Sequence, residues 1–269
     1  MNSQEIESET ITCKNCGNHY RGLFCNECGQ KNITERNTVK HFLEIAFNSF
    51  DLNRGVIFTA VSLFKNPGKL INDYISGKTK PYYNPLSYLL IIASIYALLM
   101  IGFNIFDTSF EEMSEILGHD EKQTQFQSEI NVYIKKYLSF ISVLILPFYS
   151  LLSRWVLKKF KLNYAEHLVL NTYFIAQYLL IFTLLILVFV LFPSIIKFAM
   201  PMGLIVFVAY FTYGIKSVFN TSIIRSLLST LATFVGGMTL FYIFLLIVTI
   251  LVLIVMMLAG VDIKSLVQQ

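Results

Sequence analysis

The 269-residue chain is 55% hydrophobic and only 14% charged, with a mean hydropathy of +0.60. Soluble domains carry about 25% charged residues, so this composition argues against a soluble enzyme or binding domain and for a membrane protein. The net charge of +4 is too small for a general nucleic-acid binder.

Residues 1–12 are polar and acidic and read as a disordered tail. With no apolar stretch and no basic start they do not resemble a secretory signal, so the amino terminus is expected to stay in the cytosol. All four cysteines follow within 13-CKNCGNHYRGLFCNECGQK-31. Cys13, Cys16, Cys25 and Cys28 form a C-x2-C-x8-C-x2-C pattern, and a glycine follows each pair. Two residues between cysteines allow both thiolates to face one ion, and two such knuckles supply the tetrahedral four-sulfur shell that zinc favours. Residues 13–31 are therefore expected to be a zinc ribbon. The linking GNHYRGLF suits a short hairpin turning at Gly22, with Tyr20 and Phe24 covering the metal and His19 at the surface. Two disulfides, or a rubredoxin-like iron site, would use the same cysteines; the paired spacing and a cytosolic location favour zinc. With four protein ligands the shell is closed, which makes the metal structural rather than catalytic. Lys14 and Arg21 stand against Glu27 in the ribbon; that near-neutral charge argues for a protein partner and against nucleic acid.

Residues 32–85 are expected to form an amphipathic, interfacial helical region. Val39, Phe42, Leu43, Ala46, Phe47 and Phe50 follow helical spacing after an N-cap at Thr38. The apolar stretch 56–65 is too short to span, and a second short helix is expected over 68–76, ended by Gly77 in a left-handed cap. Lys78, Lys80, Tyr82 and Tyr83 then suit the headgroup level.

Residues 86–269 read as an all-α transmembrane bundle. A hydrocarbon layer of ~30 Å needs roughly 20 residues of helix, and the apolar runs predict five spans, at about 86–106, 137–157, 168–192, 200–219 and 238–259. The last lies in an uncharged run over 227–259, too long for one upright pass, which tilts or breaks near Gly236-Gly237; a sixth pass would need two very short helices. Pro147 is expected to kink the second span. Lysine and arginine concentrate before residue 86 and in 158–167, while the loop 107–136 is acidic. That asymmetry predicts a multi-pass protein of the cell inner membrane, with the amino terminus cytosolic, loop 107–136 external and the carboxyl terminus external.

Within the third span, Glu166, Tyr173 and Gln177 share one face and His167 and Asn171 the adjacent one. Glu166, with Lys216 and Arg225 at the same depth, would line a polar vestibule, and Glu166 with His167 a proton relay. The plainer reading makes Glu166 a helix-start residue and Asn171 and Gln177 interhelical hydrogen-bonding groups. The sequence contains no nucleotide-binding, hydrolase or metalloprotease motif, and no enzyme is expected.

The CxxCG…FCxxCGQ ribbon, the 66-NPGKLINDYISGKTKPYYNPLSYL-89 segment and the 165-AEHLV-169 start of a later span together resemble the bacterial membrane proteins grouped as the domain-of-unknown-function 3667 family. In this chain Pro81 separates Lys80 from Tyr82, a departure from the pattern's basic-then-aromatic step. The resemblance implies a ribbon ahead of a multi-pass region and no established activity. Three functions compete: a membrane adaptor or assembly factor binding protein partners through the ribbon, which the closed metal shell favours; a small oligomeric transporter or permease subunit with a polar path near Glu166 and Gln177; and a lipid-modifying enzyme, for which only Glu166-His167 speaks.

Overall fold

A computed structural model describes residues 10–32, 38–39, 55–105, 107–109, 136–137 and 140–258. Residues 40–50 of the expected helix over 38–50, most of loop 107–136 and residues 259–269 lie outside them. The described part is mostly helical. Four helical segments are long and apolar enough to cross a membrane: Pro85–Gly102, Tyr164–Leu191, Pro193–Phe219 and Ile223–Val252.

The ribbon begins earlier than expected, at Ile11. Strand β1 (Ile11–Thr12) pairs antiparallel with β2 (His19–Tyr20), Ile11 opposite Tyr20 and Thr12 opposite His19. The pair brackets the first cysteine knuckle instead of forming a hairpin within the eight-residue link. A bridge between Phe24 and Lys31 brackets the second knuckle in the same way. Each knuckle thus carries its own antiparallel clamp.

Two short helices follow, α1 (Gly55–Lys65) and α2 (Pro67–Ile75), separated only by Asn66. Proline at 67 lacks the N–H needed to continue α1, but suits the first turn of α2. Asn66 caps α2 through Oδ1, which accepts from Lys69 N at 3.0 Å. Gly77, at φ +97°, ends α2: its N–H donates to Tyr74 O and that of Lys78 to Asp73 O, at 3.1 and 2.9 Å. This is the expected left-handed cap, with both bonds of a Schellman turn. The hairpin of α1 and α2 is not simply laid on the bundle. Leu63, Leu70 and Ile71 are fully buried, and Gly68 lies against the later helix over Ala199–Phe219 so closely that a Cβ there would stand 2.2 Å from Ser217 O. The opposite face of α1 leaves Ile57, Phe58, Val61 and Phe64 exposed, as an interfacial helix does.

The bundle comprises α3 (Pro85–Gly102), α4 (Leu146–Val156), α5 (Tyr164–Leu191), α6 (Ala199–Phe219) and α7 (Ile223–Leu258). The first span is shorter than the expected 86–106 and stops at a turn around Asn104, whose φ is +51°. The second is described as an apolar helix over Phe140–Val156, interrupted at Ile145 two residues before Pro147. A 3-10 turn over Pro193–Phe198 leads directly into α6. Helix α7 runs unbroken through 36 residues, so of the two expectations for this long run, a tilt or a break near Gly236-Gly237, the break does not occur. These glycines serve close packing instead: a Cβ on Gly236 would meet Leu152 at 2.8 Å, and one on Gly237 would meet Tyr149 at 2.2 Å. Small residues let helix backbones approach in a membrane, where packing rather than water expulsion drives association. Aromatic rings fill the centre: Phe207 stacks on Phe211 at 4.2 Å, and Phe174 meets Tyr210 and Phe211 edge-on at 5.9 and 5.4 Å.

Gly68→Ala and Gly237→Ala are each expected to lower the thermal midpoint in detergent by several degrees, as overpacking of about 1–3 kcal/mol does. Gly102→Ala, at a position with open space around it, serves as the control and should leave the midpoint unchanged.

A candidate metal centre clasped to the membrane bundle

The two knuckles repeat one hydrogen-bond pattern. Gly17 N donates to Cys13 O at 2.9 Å and Cys13 N to Asn18 O at 2.8 Å; Gly29 N donates to Cys25 O at 2.8 Å and Cys25 N to Gln30 O at 2.9 Å. Gly17 and Gly29 both turn through positive φ, +78° and +68°, which glycine adopts without steric cost. All four ligand sulfurs lie within 4.8 Å of one another. Cys13 Sγ is 3.5 Å from Cys28 Sγ, and Cys16 Sγ is 3.6 Å from Cys25 Sγ. A tetrahedral shell with metal–sulfur bonds of about 2.3 Å has edges of about 3.8 Å, so the four cysteines fit one metal ion. The sulfurs are far beyond the bonded separation of about 2.05 Å in a disulfide. Tyr20 is buried against Cys13 and Cys25, as expected, but Phe24 is 58% exposed and does not cover the site. His19 Nδ1 lies 3.1 Å from Thr12 Oγ1, at the surface.

Metal-free, the thiols oppose one another. A hydrogen bond from the Asn15 side chain leads the causes that bring Cys28 down to about 6. The backbone hydrogen bond with Asn18 favours the Cys16 thiolate, yet desolvation and the neighbouring thiols push Cys16 up to about 12. A bound cation resolves that conflict by stabilising all four thiolates together.

The residue that joins the ribbon to the bundle is Gln30, only 2% exposed. Its Oε1 accepts from Lys80 N at 2.8 Å and Thr79 N at 3.2 Å. Its Nε2 donates to Lys31 O at 2.9 Å, Gly77 O at 3.1 Å and Thr79 Oγ1 at 3.2 Å. The side chain thus clasps the loop after α2. That loop is itself shaped by Asp73, whose Oδ2 accepts from Tyr82 OH at 2.8 Å and lies 3.9 Å from Lys78 Nζ. Gln30 follows the second knuckle directly, so the turn that builds the metal site also aims the clasp. Its position in the CGQ motif was legible; its partners, about fifty residues away, were not.

The intramembrane residues divide into three groups. Glu166 closes a capping box with Asn163: Asn163 N donates to Glu166 Oε2 at 2.7 Å and Glu166 N to Asn163 Oδ1 at 2.9 Å. Gln177 accepts from Tyr88 OH at 2.7 Å and donates to Ala60 O at 3.3 Å, joining α5 to α3 and α1. Tyr173, on the same face, donates to Tyr83 O at 2.6 Å. His167 and Asn171 face α4, where they meet Ser150 and Ser153, two residues not anticipated. Asn171 Nδ2 donates to Ser153 Oγ at 2.8 Å, and Ser153 Oγ lies 2.9 Å from His167 Nδ1. In this buried cluster His167 Nε2 and Asn171 Oδ1 have no hydrogen-bond partner among the described residues.

Four cysteines placed where they could hold one metal ion, on a mostly helical chain with four segments long and apolar enough to cross a membrane, are consistent with an all-α polytopic class. The family model described as "Protein of unknown function (DUF3667)" matches residues 53–97, which contain α1, α2, the clasped loop and the first part of α3. No curated protein and no solved structure matches the chain.

Gln30→Ala is expected to leave the bound-metal content unchanged while amide exchange at Thr79 and Lys80 quickens about tenfold, the factor for losing about 1.4 kcal/mol of hydrogen bonding. Cys25→Ser should release both the metal and the clasp. Unchanged exchange in both variants would show that Gln30 does not hold the loop.

Proposed function

We propose that this protein is a non-enzymatic membrane adaptor or assembly factor, holding a structural zinc ribbon in a fixed position on the cytosolic face of a five-span bundle and binding a protein partner there. The observation that carries this reading is the Gln30 clasp: four hydrogen bonds to Gly77, Thr79 and Lys80 make the ribbon a fixed platform rather than a tethered appendage. The shell suits zinc, which favours four thiolates in a tetrahedron and is structural when no position is left for water. The ribbon turns Leu23 and Phe24 outward, 55% and 58% exposed, a neighbouring apolar pair of the kind protein contacts bury.

Five spans and their orientation are supported by the contacts at the two ends of the bundle. Ser109 Oγ donates to Ile196 O at 3.3 Å, so the chain after α3 lies beside the turn between α5 and α6. The opposite end holds the ribbon, the start of α5 and the end of α6. The chain returns between these ends through Phe140–Val156. Lys65, Lys69, Lys78, Lys80, Lys158, Lys159, Lys161 and Lys216 gather at the ribbon end, against Lys136 and Lys197 among the described residues of the other; by the positive-inside rule this bias supports a cytosolic ribbon end, where cysteines stay reduced for a metal.

A second reading, a small oligomeric permease subunit, rests on the unpartnered His167 Nε2 and Asn171 Oδ1. Glu166 and Gln177, anticipated as its path, are engaged in capping and packing.

Proteins co-purifying in mild detergent with the wild type should include a partner that is lost from both Cys25→Ser/Cys28→Ser and Leu23→Ala/Phe24→Ala at matched membrane levels. Identical partner lists would overturn the adaptor reading and leave the His167–Asn171 cluster as the functional centre. A carboxyl-terminal epitope tag should be accessible to antibody on intact spheroplasts; protection of the tag would instead mean an even number of spans.

A further inference from the structure

Between α6 and α7 an elongated groove of about 660 Å³ opens on the outer surface of the bundle, within the ~300–1,000 Å³ of ligand-holding clefts. Leu204, Val208 and Thr212 line it from α6, Ile223 and Leu227 from α7, and Lys216 stands at its ribbon end. From Leu204 to Lys216 the lining follows α6 for about 18 Å at ~1.5 Å per residue. One leaflet's hydrocarbon is about 15 Å deep, half of the ~30 Å layer. Leu204, Ile205 and Ile223 are exposed, so the groove faces the surrounding lipid rather than the bundle interior.

Among the described residues no carboxylate is paired with the charge at its end. Lys216 is exposed, and α1, α6 and α7 contain no acidic residue. Helix α2 has only Asp73, which is engaged with Tyr82 and Lys78, and Glu166 of α5 is used in its capping box. The hairpin that carries two further exposed lysines, Lys65 and Lys69, packs against the same end of α6. Tyr213, which also lines the groove, donates its hydroxyl to Lys65 O at 2.9 Å. Ser217 Oγ donates at 3.2 Å to Asn66 Oδ1, the cap that receives Lys69 N. A lysine at the end of an apolar channel of leaflet depth matches a ligand with a phosphate at one end and a long hydrocarbon chain below it. Basic pockets between spanning helices recognise anionic headgroups in this way, whereas a zwitterionic lipid would leave the net charge of Lys216 uncompensated.

We propose that the α6–α7 groove binds an anionic diacyl phospholipid, one acyl chain lying along Leu204–Thr212 and the phosphate at Lys216.

The test uses the full-length protein, reconstituted in vesicles of equal phosphatidylglycerol and phosphatidylcholine, re-extracted, washed in mild detergent and analysed for bound lipid by quantitative mass spectrometry. The wild type should retain phosphatidylglycerol over phosphatidylcholine. Lys216→Ala should lower the retained phosphatidylglycerol about fivefold, the factor for one basic residue at an anionic headgroup. Val208→Trp, which fills the channel and keeps the lysine, should lower it as well; Ala209→Leu replaces it if tryptophan is not accommodated. Excess soluble glycerophosphate should displace nothing, because it lacks the chain. Equal retention by wild type and Lys216→Ala at matched thermal stability would overturn the proposal, and so would displacement by glycerophosphate, which would reveal a site for a free anion alone.

Discussion

The structure depends on satisfying the backbone at the break between α1 and α2. A helix end leaves up to four unpaired N–H or C=O groups, and in apolar surroundings each such group costs several kcal/mol. At Asn66–Pro67–Gly68 a C-terminus and an N-terminus meet against the bundle, and partners come from α6. Tyr210 OH donates to Leu63 O at 3.3 Å and Tyr213 OH to Lys65 O at 2.9 Å. Gly68 N donates to Ser217 Oγ at 2.9 Å, and Asn72 Nδ2 to Val218 O at 3.3 Å. Further along, Gln177 and Tyr173 of α5 hold Ala60 O and Tyr83 O, while Thr59 Oγ1 accepts from Tyr83 N at 2.7 Å. The segment matched by the family model is thus the one whose backbone is most fully held by side chains of distant helices.

This arrangement reaches the metal centre through α2. Ending α2 at Gly77 directs the following residues outward, and their backbone groups at 77, 79 and 80 become the landing site for Gln30. A module of about twenty residues has too little core to fix its own position. Here the metal would order the knuckles, the second knuckle aims Gln30, and Gln30 holds the ribbon on a loop that the bundle has already shaped. Loss of any link would leave the ribbon folded but adrift, or attached but unfolded.

On the far side of α6 the same helix has a different role. Its one face supplies the tyrosines and the serine that hold the hairpin, and Gly214 accommodates Phe174, which a Cβ there would meet at 2.4 Å. The face turned to α7 is apolar and concave, ending in Lys216.

Local chemistry determined a good deal of this protein from sequence alone. The gathering of the four cysteines was legible because C-x2-C spacing is itself the geometry of a knuckle, and Gly77 because a left-handed cap favours glycine. Four segments of membrane length were legible because hydrocarbon thickness fixes helix length, and Glu166 as a helix-start residue because a capping box closes within four positions. Tertiary structure decided what depends on partners far apart in the chain. Gln30 meets residues about fifty positions away, and Ser150 and Ser153 join His167 and Asn171 only when α4 packs on α5. Gly236-Gly237, readable as a break, instead admits Leu152 and Tyr149 into an unbroken α7, because a glycine's freedom to bend and its lack of a side chain are the same in sequence, and only the neighbouring helix selects between them.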